Sequence, residues 1–139
     1  MSNKKCRQAI EARLYGWATA RSPALRIAFA NASFTPTGPA ELFLRAFLLP
    51  ADTGSQTLDG AHRRYSGVYQ VSIHAPISTG PGAAEGVLDE LATLFPNNLR
   101  VTVTGLTVQV TSPVSAGPAG QDGDRYIVPA YFTYRADTT

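Results

Sequence analysis

The sequence predicts an α+β domain: a single mostly antiparallel β-sheet packed with two main α-helices. Three observations predict it. The stretch Arg64 to Pro76 (RYSGVYQVSIHAP) places Tyr65, Gly67, Tyr69, Val71, Ile73 and Ala75 on one side at a period of two, and Ser66, Gln70, Ser72 and His74 on the other. That is the pattern of a half-buried strand. Two segments, one near the N terminus and one from about Pro81 to Phe95, carry apolar residues at helical spacing. The remaining apolar runs are short and bounded by Gly, Pro or Asn, the usual punctuation of strands.

Taken in order, Asn3 is placed to cap a helix whose apolar residues Cys6, Ile10, Leu14 and Trp17 recur at spacings of four, four and three. Ser22-Pro23 ends it, because proline removes a donor and biases its predecessor away from helix. Leu25 to Ala30 reads as a short strand and Asn31 to Pro39 as a loop. Leu42 to Leu49, broken only by Arg45 and bounded by Pro39 and Pro50, predicts a central strand. Pro50 to Arg63 has no periodicity and joins strands that need only a short turn, so this loop either has a task of its own or is a plain surface insertion. After the Arg64–Pro76 strand, Ala84, Val87, Leu88, Leu91 and Leu94/Phe95 share one helix face, and Pro96-Asn97-Asn98 stops that helix. Val101 and Val103, then Leu106, Val108 and Val110, alternate on either side of Thr104-Gly105 as a hairpin. Ser112 to Asp124 reads as a second long loop. Tyr126 to Arg135 is the last strand, and Pro129 within it predicts an edge position or a bulge.

Length and composition fit one domain over residues 1–139. At 44% hydrophobic and 16% charged, the chain can bury one core, and 12 glycines with 10 prolines imply many turns. The single cysteine, Cys6, excludes an internal disulfide and a cysteine-based zinc site, and with no leader pattern or long apolar run the reading is a soluble protein made in a reducing cytoplasm, with no membrane partner. The net charge of +2 is unevenly spread: residues 1–26 carry six basic side chains against Glu11, and the rest carries six against nine acids. A basic first helix can meet phosphates or an acidic protein, though a solvated helix face explains it as well.

No catalytic motif emerges. Gly80-Pro81-Gly82 opens a helix after a strand, yet Glu85 stands where a dinucleotide fingerprint needs its third glycine. His62 lies in a loop and His74 on a strand's polar side, neither beside a partner that would activate it, and Cys6 falls on an apolar stripe. Asp89 and Glu90 point in different directions on their helix, and Asp122 and Asp124 share a turn. The expectation is a non-enzymatic protein with no catalytic residues, cofactor or metal.

The order of the blocks carries more information than any one of them. The N-terminal helix, LRAFLLP (Leu44 to Pro50) with its polar loop, RRYSGVYQVSIHAP (Arg63 to Pro76), a helix ending LFP (Leu94 to Pro96), the valine-rich hairpin, and Gly117-Pro118 ahead of YIVPAYFTYRA (Tyr126 to Ala136) together resemble the tail terminator family of long-tailed bacteriophages. The resemblance implies a tail-terminator-like ring subunit. It would close into a homo-hexamer, cap the tail tube, end its elongation and offer the surface where the head joins. The implied partners are its own copies, the tail tube protein and a head-completion or neck protein, with DNA passing through the lumen without specific recognition. The implied place is the virion tail at the head–tail junction, after assembly in the host cytoplasm. Another connector or tail-tube ring subunit, or a small nucleic-acid-binding module, is the competing reading. Within this frame Asp52, Leu58, Asp59, His62, Arg63 and Arg64 in the first long loop and Gln121, Asp122 and Asp124 in the second are the candidate subunit or tube contacts, because loops of that length reach a neighbour without disturbing the core.

Overall fold

The computed structural model describes residues 3–21, 24–30, 33–36, 38, 41–51, 53–54, 63–77, 80–103, 106–123 and 125–137. Helix α1 spans Asn3–Ala20 and α2 spans Gly82–Leu94. The strands are β1 (Arg26–Phe29), β2 (Phe43–Pro50), β3 (Arg64–Pro76), β4 (Arg100–Val103), β5 (Leu106–Val110), β6 (Ser115–Ala116), β7 (Gly120–Asp122) and β8 (Arg125–Asp137). They form one sheet in the order β1-β2-β3-β8-β5-β4, with β6 and β7 also on β8.

The α+β class is broadly right, but the expected mostly antiparallel sheet needs correcting. Among the described residues strand outweighs helix, 46% against 27%, in a curled mixed sheet of eight strands that carries the two helices. The parallel element is β1, which pairs with β2 from Arg26↔Phe43 to Phe29↔Ala46. Thirteen residues (30–42) separate the two strands, enough for the crossover that a parallel pair requires and a hairpin does not. Two further strands, β6 and β7, lie inside the stretch expected to be loop from Ser112 to Asp124.

The longest pairing is β3 with β8, in register from Arg64↔Asp137 to Pro76↔Arg125. The other side of β8 is shared: β5 pairs with residues 134–137, β6 with 130–131 and β7 with 125–127. Pro129 is therefore not at an edge. Its carbonyl accepts from the Gly117 amide at 2.8 Å, so its missing N–H faces the same side, between the end of β6 and the start of β7. The ladder is interrupted there, and the absent donor costs nothing.

One face of the sheet holds the core. Tyr69, Val71 and Ile73 of β3, Ala130, Phe132 and Tyr134 of β8, Leu44 and Ala46 of β2, and Val108 and Val110 of β5 are buried against the helices. Helix α1 supplies Cys6, Ala9, Ile10, Leu14 and Ala18, and α2 supplies Ala84, Val87 and Leu91, with Phe95 following it. Trp17, the last residue of the α1 stripe, is only half-buried. Asn3 begins α1 as a helical residue, and its Oδ1 accepts from the Tyr134 hydroxyl at 3.4 Å. The two helices are tied by Arg13 Nε donating to the Leu94 carbonyl (2.8 Å) and by the Arg21 fork on Glu90 (3.1 and 2.7 Å). The first of these satisfies one of the carbonyls that every helix C-terminus leaves without a partner.

Candidate assembly surface

Because β-strand side chains alternate, the pairing register fixes what the opposite, helix-free face displays. Across β2, β3 and β8 it runs in rows: Phe43, His74 and Ile127; Arg45, Ser72 and Pro129; Phe47, Gln70 and Tyr131; Leu49, Val68 and Thr133. No described helix covers these rows. Leu49 and Tyr131 remain 47% and 38% exposed, which marks this face as the place where large apolar side chains reach solvent together.

At the Phe43 end of this face an aromatic and cationic cluster stands apart from the main core. Phe43 is buried between Phe34 and His74, with both ring centroids 4.8 Å away. Three guanidinium groups surround these rings: Arg125 at 4.8 Å and Arg45 at 5.4 Å from the Phe43 centroid, and Arg26 at 4.6 Å from that of Phe34. Each such contact adds attraction between cation and ring face. Arg26 is neutralised by a two-pronged pair with Glu41 (2.7 Å for each bond) and also holds the Thr35 carbonyl (2.9 Å). Arg125, buried, spends its donors on the carbonyls of Glu41 and of Gly38, the latter at 2.6 Å. The two arginines thus pin the segment after β1 onto the sheet. What results is a cleft of about 680 Å³ lined by Pro36, Phe43, Arg45, His74, Asp122 and Arg125, among others. Burial first, then Arg45 and Arg125, push the His74 pKa down to about 4 against the opposing pull of Asp122. His74 is neutral at physiological pH.

The candidate contact residues divide between the two ends of the sheet. Arg64 begins β3 beside Asp137 (3.5 Å), while Gln121 and Asp122 lie on β7 beside the start of β8, at the Pro76 end. Twelve residues of β3 separate these ends, roughly 40 Å of extended chain. Asp122 lines the arginine cleft, and Gln121 lines a smaller one of about 230 Å³ with Pro76, Gly80, Pro81 and Tyr126. Arg63 is exposed just ahead of β3. Asp52, Leu58, Asp59, His62 and Asp124 lie outside the described residues.

Sequence reasoning missed the cluster. His74 reads as a polar-side residue and Arg45 as an interruption, and the partners come from four strands and a loop. A signal was available in β2, where a period of two puts Phe43, Arg45, Phe47 and Leu49 on one face, an apolar face too rich for plain solvent. The nucleophile and metal chemistry considered from sequence finds no support in the geometry. Burial pushes the Cys6 thiol up to about 11, leaving it protonated at neutral pH. Among the described residues no three of His, Cys, Asp and Glu gather as metal ligands, and no helix is long and apolar enough to cross a membrane.

One face of the sheet is packed with helices, and no described helix covers the other, where Leu49 and Tyr131 reach solvent. A family model described as phage tail terminator protein matches residues 5–134, and the chain belongs to that family. It is a structural component of the phage tail, in a family of structural proteins rather than enzymes. A solved structure 43% identical to it superposes with a TM-score of 0.83, covering 98% of this chain and 96% of its own. No curated protein matches.

Proposed function

We propose that the chain caps the phage tail tube as a homo-hexameric ring, ending tail elongation and presenting the surface to which the head's neck docks. The observation that carries this reading is the bare sheet face, with Leu49 and Tyr131 exposed in its middle, on a member of the tail terminator family. A ring is made of heterologous contacts, so each subunit needs two unlike surfaces on different sides. The helix side and the bare sheet side meet that requirement, and the loop after β2 and the β7 region, at opposite ends of β3, extend it along the subunit. Arg63, Arg64, Gln121 and Asp122 serve as contacts at those ends, with Asp52, Leu58, Asp59, His62 and Asp124 from the same two loops. The tube and neck proteins take the two rims of the ring, and DNA passes through the lumen without specific recognition. The role is non-enzymatic: His74 is wedged against Phe43 between two arginines and Cys6 is held as a buried thiol.

Native mass spectrometry across a concentration series and electron cryomicroscopy of the tail end test the ring. Six copies at the tail end nearest the head, and overlong or headless tails when the gene is deleted, are the expected results. A ring of another symmetry, or tails of normal length joined to heads without this chain, ends the proposal.

A further inference from the structure

The cleft on the helix-free face is charged in a way the subunit itself does not complete. Arg26 has Glu41. Arg125 is held by carbonyl oxygens, which fix its position without cancelling its charge, and Arg45 is exposed over Phe43 and Phe34 with no carboxylate paired to it among the described residues. Among the described residues Asp122 is the one acid lining the cleft, so Arg45 and Arg125 against Asp122 leave these side chains one positive charge in excess, with His74 neutral. One added carboxylate balances it. A polyanion such as a DNA backbone brings many charges and drives further ones against Asp122, so a small acidic patch of which one carboxylate enters fits this cleft better.

The same chain carries the complement on its opposite side. Glu85 and Asp89 are exposed on the outer face of α2, one helical turn apart, and neither is in an ion pair among the described residues. Residues four apart on a helix lie side by side, about 6 Å between β-carbons, and act as one acidic patch. Small neighbours flank them: Gly82, Ala83, Gly86 and Ala92 are all exposed, so the outer face of α2 can approach a flat surface closely. The helices cover one face of the sheet and the cleft opens on the other, so the patch and the cleft of one subunit face away from each other. They cannot meet within a chain and can meet between copies arranged head to tail, the arrangement that closes rings.

We propose that in the assembled ring the Arg45 cleft of each subunit receives the Glu85–Asp89 patch on α2 of its neighbour, an assignment of surfaces that rests on the ring reading above. The contact joins the bare sheet face of one copy to the helix layer of the next. Arg45 forms the ion pair, Arg125 and the Phe43 ring set its position, and Leu49 and Tyr131 are covered by the same approach.

Charge reversal and cross-linking on the full chain test it. Arg45→Glu alone, and Glu85→Arg with Asp89→Arg, each weaken ring assembly by about tenfold or more, and combining the three changes restores it to within about threefold of wild type. All three positions are exposed, so circular dichroism confirms that the variants fold. Arg45→Cys with Asp89→Cys in the same chain gives a ladder of covalently joined copies with a bis-maleimide, whereas either single cysteine, with Cys6 buried as before, gives none. Rings by native mass spectrometry without rescue or ladder overturn the assigned contact and leave the ring standing. A ladder with a count other than six keeps the contact and ends the hexamer. No rings from the wild-type protein together with no ladder from the double-cysteine variant overturns both. Arg45→Glu rings that form normally but fail to cap tails show that the cleft takes a tube or neck protein instead, and loss only of salt-sensitive DNA binding shows that it takes phosphate; either result refutes the contact between copies.

Discussion

Replacing Gly67 by alanine is the sharpest test of the sheet geometry, because the general rule and this structure give opposite signs. In the middle of a strand glycine costs about 0.5–1 kcal/mol relative to alanine, so the substitution ordinarily stabilises. At Gly67 the β-carbon would lie 2.3 Å from the Leu49 carbonyl oxygen, 2.9 Å from the Pro50 α-carbon and 3.0 Å from the Tyr134 hydroxyl. Two of those atoms are backbone, so no rotamer change relieves the clash. Moving the oxygen out to an ordinary contact of about 3.4 Å displaces the end of β2 by roughly 1 Å, and forced shifts of this kind in packed structure cost about 1–3 kcal/mol and occasionally more. The end of β2 is held by Pro50↔Gly67 pairing and by the Ala51 amide on the Ser66 carbonyl (2.8 Å), which puts the net effect at the upper end of that range. Urea unfolding followed by Trp17 fluorescence should show a loss of about 2–3 kcal/mol, and the melting temperature should fall by roughly 6–12 °C. The matched control is Gly86→Ala in α2, where an added β-carbon meets nothing within 4 Å and the chain should gain about 0.5–1 kcal/mol. A neutral or stabilising Gly67→Ala would mean that β2 does not close over β3 as described.

Three further outcomes follow from the packing. Folding depresses the His74 pKa from 6.5 to about 4, so as pH falls the unfolded chain binds this proton first; the contribution is complete above about pH 6.5 and is lost as pH falls towards 4. After discounting for partial exposure it amounts to about 1–2 kcal/mol, and His74→Phe, which keeps a ring against Phe43, should remove that component from a stability–pH series. Phe95→Ala empties a fully buried site stacked on Phe132 at 4.7 Å and should cost about 3–5 kcal/mol by chemical denaturation. Arg125→Leu should cost about 1–3 kcal/mol, because the Gly38 and Glu41 carbonyls lose their donor, and amide exchange should quicken at Gly38 and Glu41 with β5 unchanged.

Strand periodicity made β3 legible to the residue, and helical spacing placed α1 and α2 within a residue or two at each end. These segments have one buried face each, and one-sided burial leaves a period in the sequence. What the sequence did not display was pairing. Nothing local marks β1 as parallel to β2, since that depends on where residues 30–42 carry the chain. Nor does the composition of residues 112–124 distinguish a loop reaching outward from short strands folded back on β8. Pro129 misled for a related reason: a proline reports a missing donor, and here the gap between two short partner strands accommodates it as well as a free edge would. The arginine cleft was the least legible feature, because Arg26, Phe34, Phe43, His74 and Arg125 are brought together by long-range register and lose any sequence pattern in the process.

The central place of β8 also bears on when the domain can form. Every strand it joins, β3, β5, β6 and β7, precedes it in the chain, so on the ribosome each waits with an unpaired side while the rest is made. The largest pairing, β3 with β8, spans a loop of nearly fifty residues at its closest point, between Pro76 and Arg125, and such non-local closure is slow. The nascent chain therefore holds the long β3 without its largest partner until β8 is made, and the cooperative step falls after β8 has left the exit tunnel. A supply of folded protein set by that late step, rather than by translation alone, would pace how quickly this component becomes available for tail assembly.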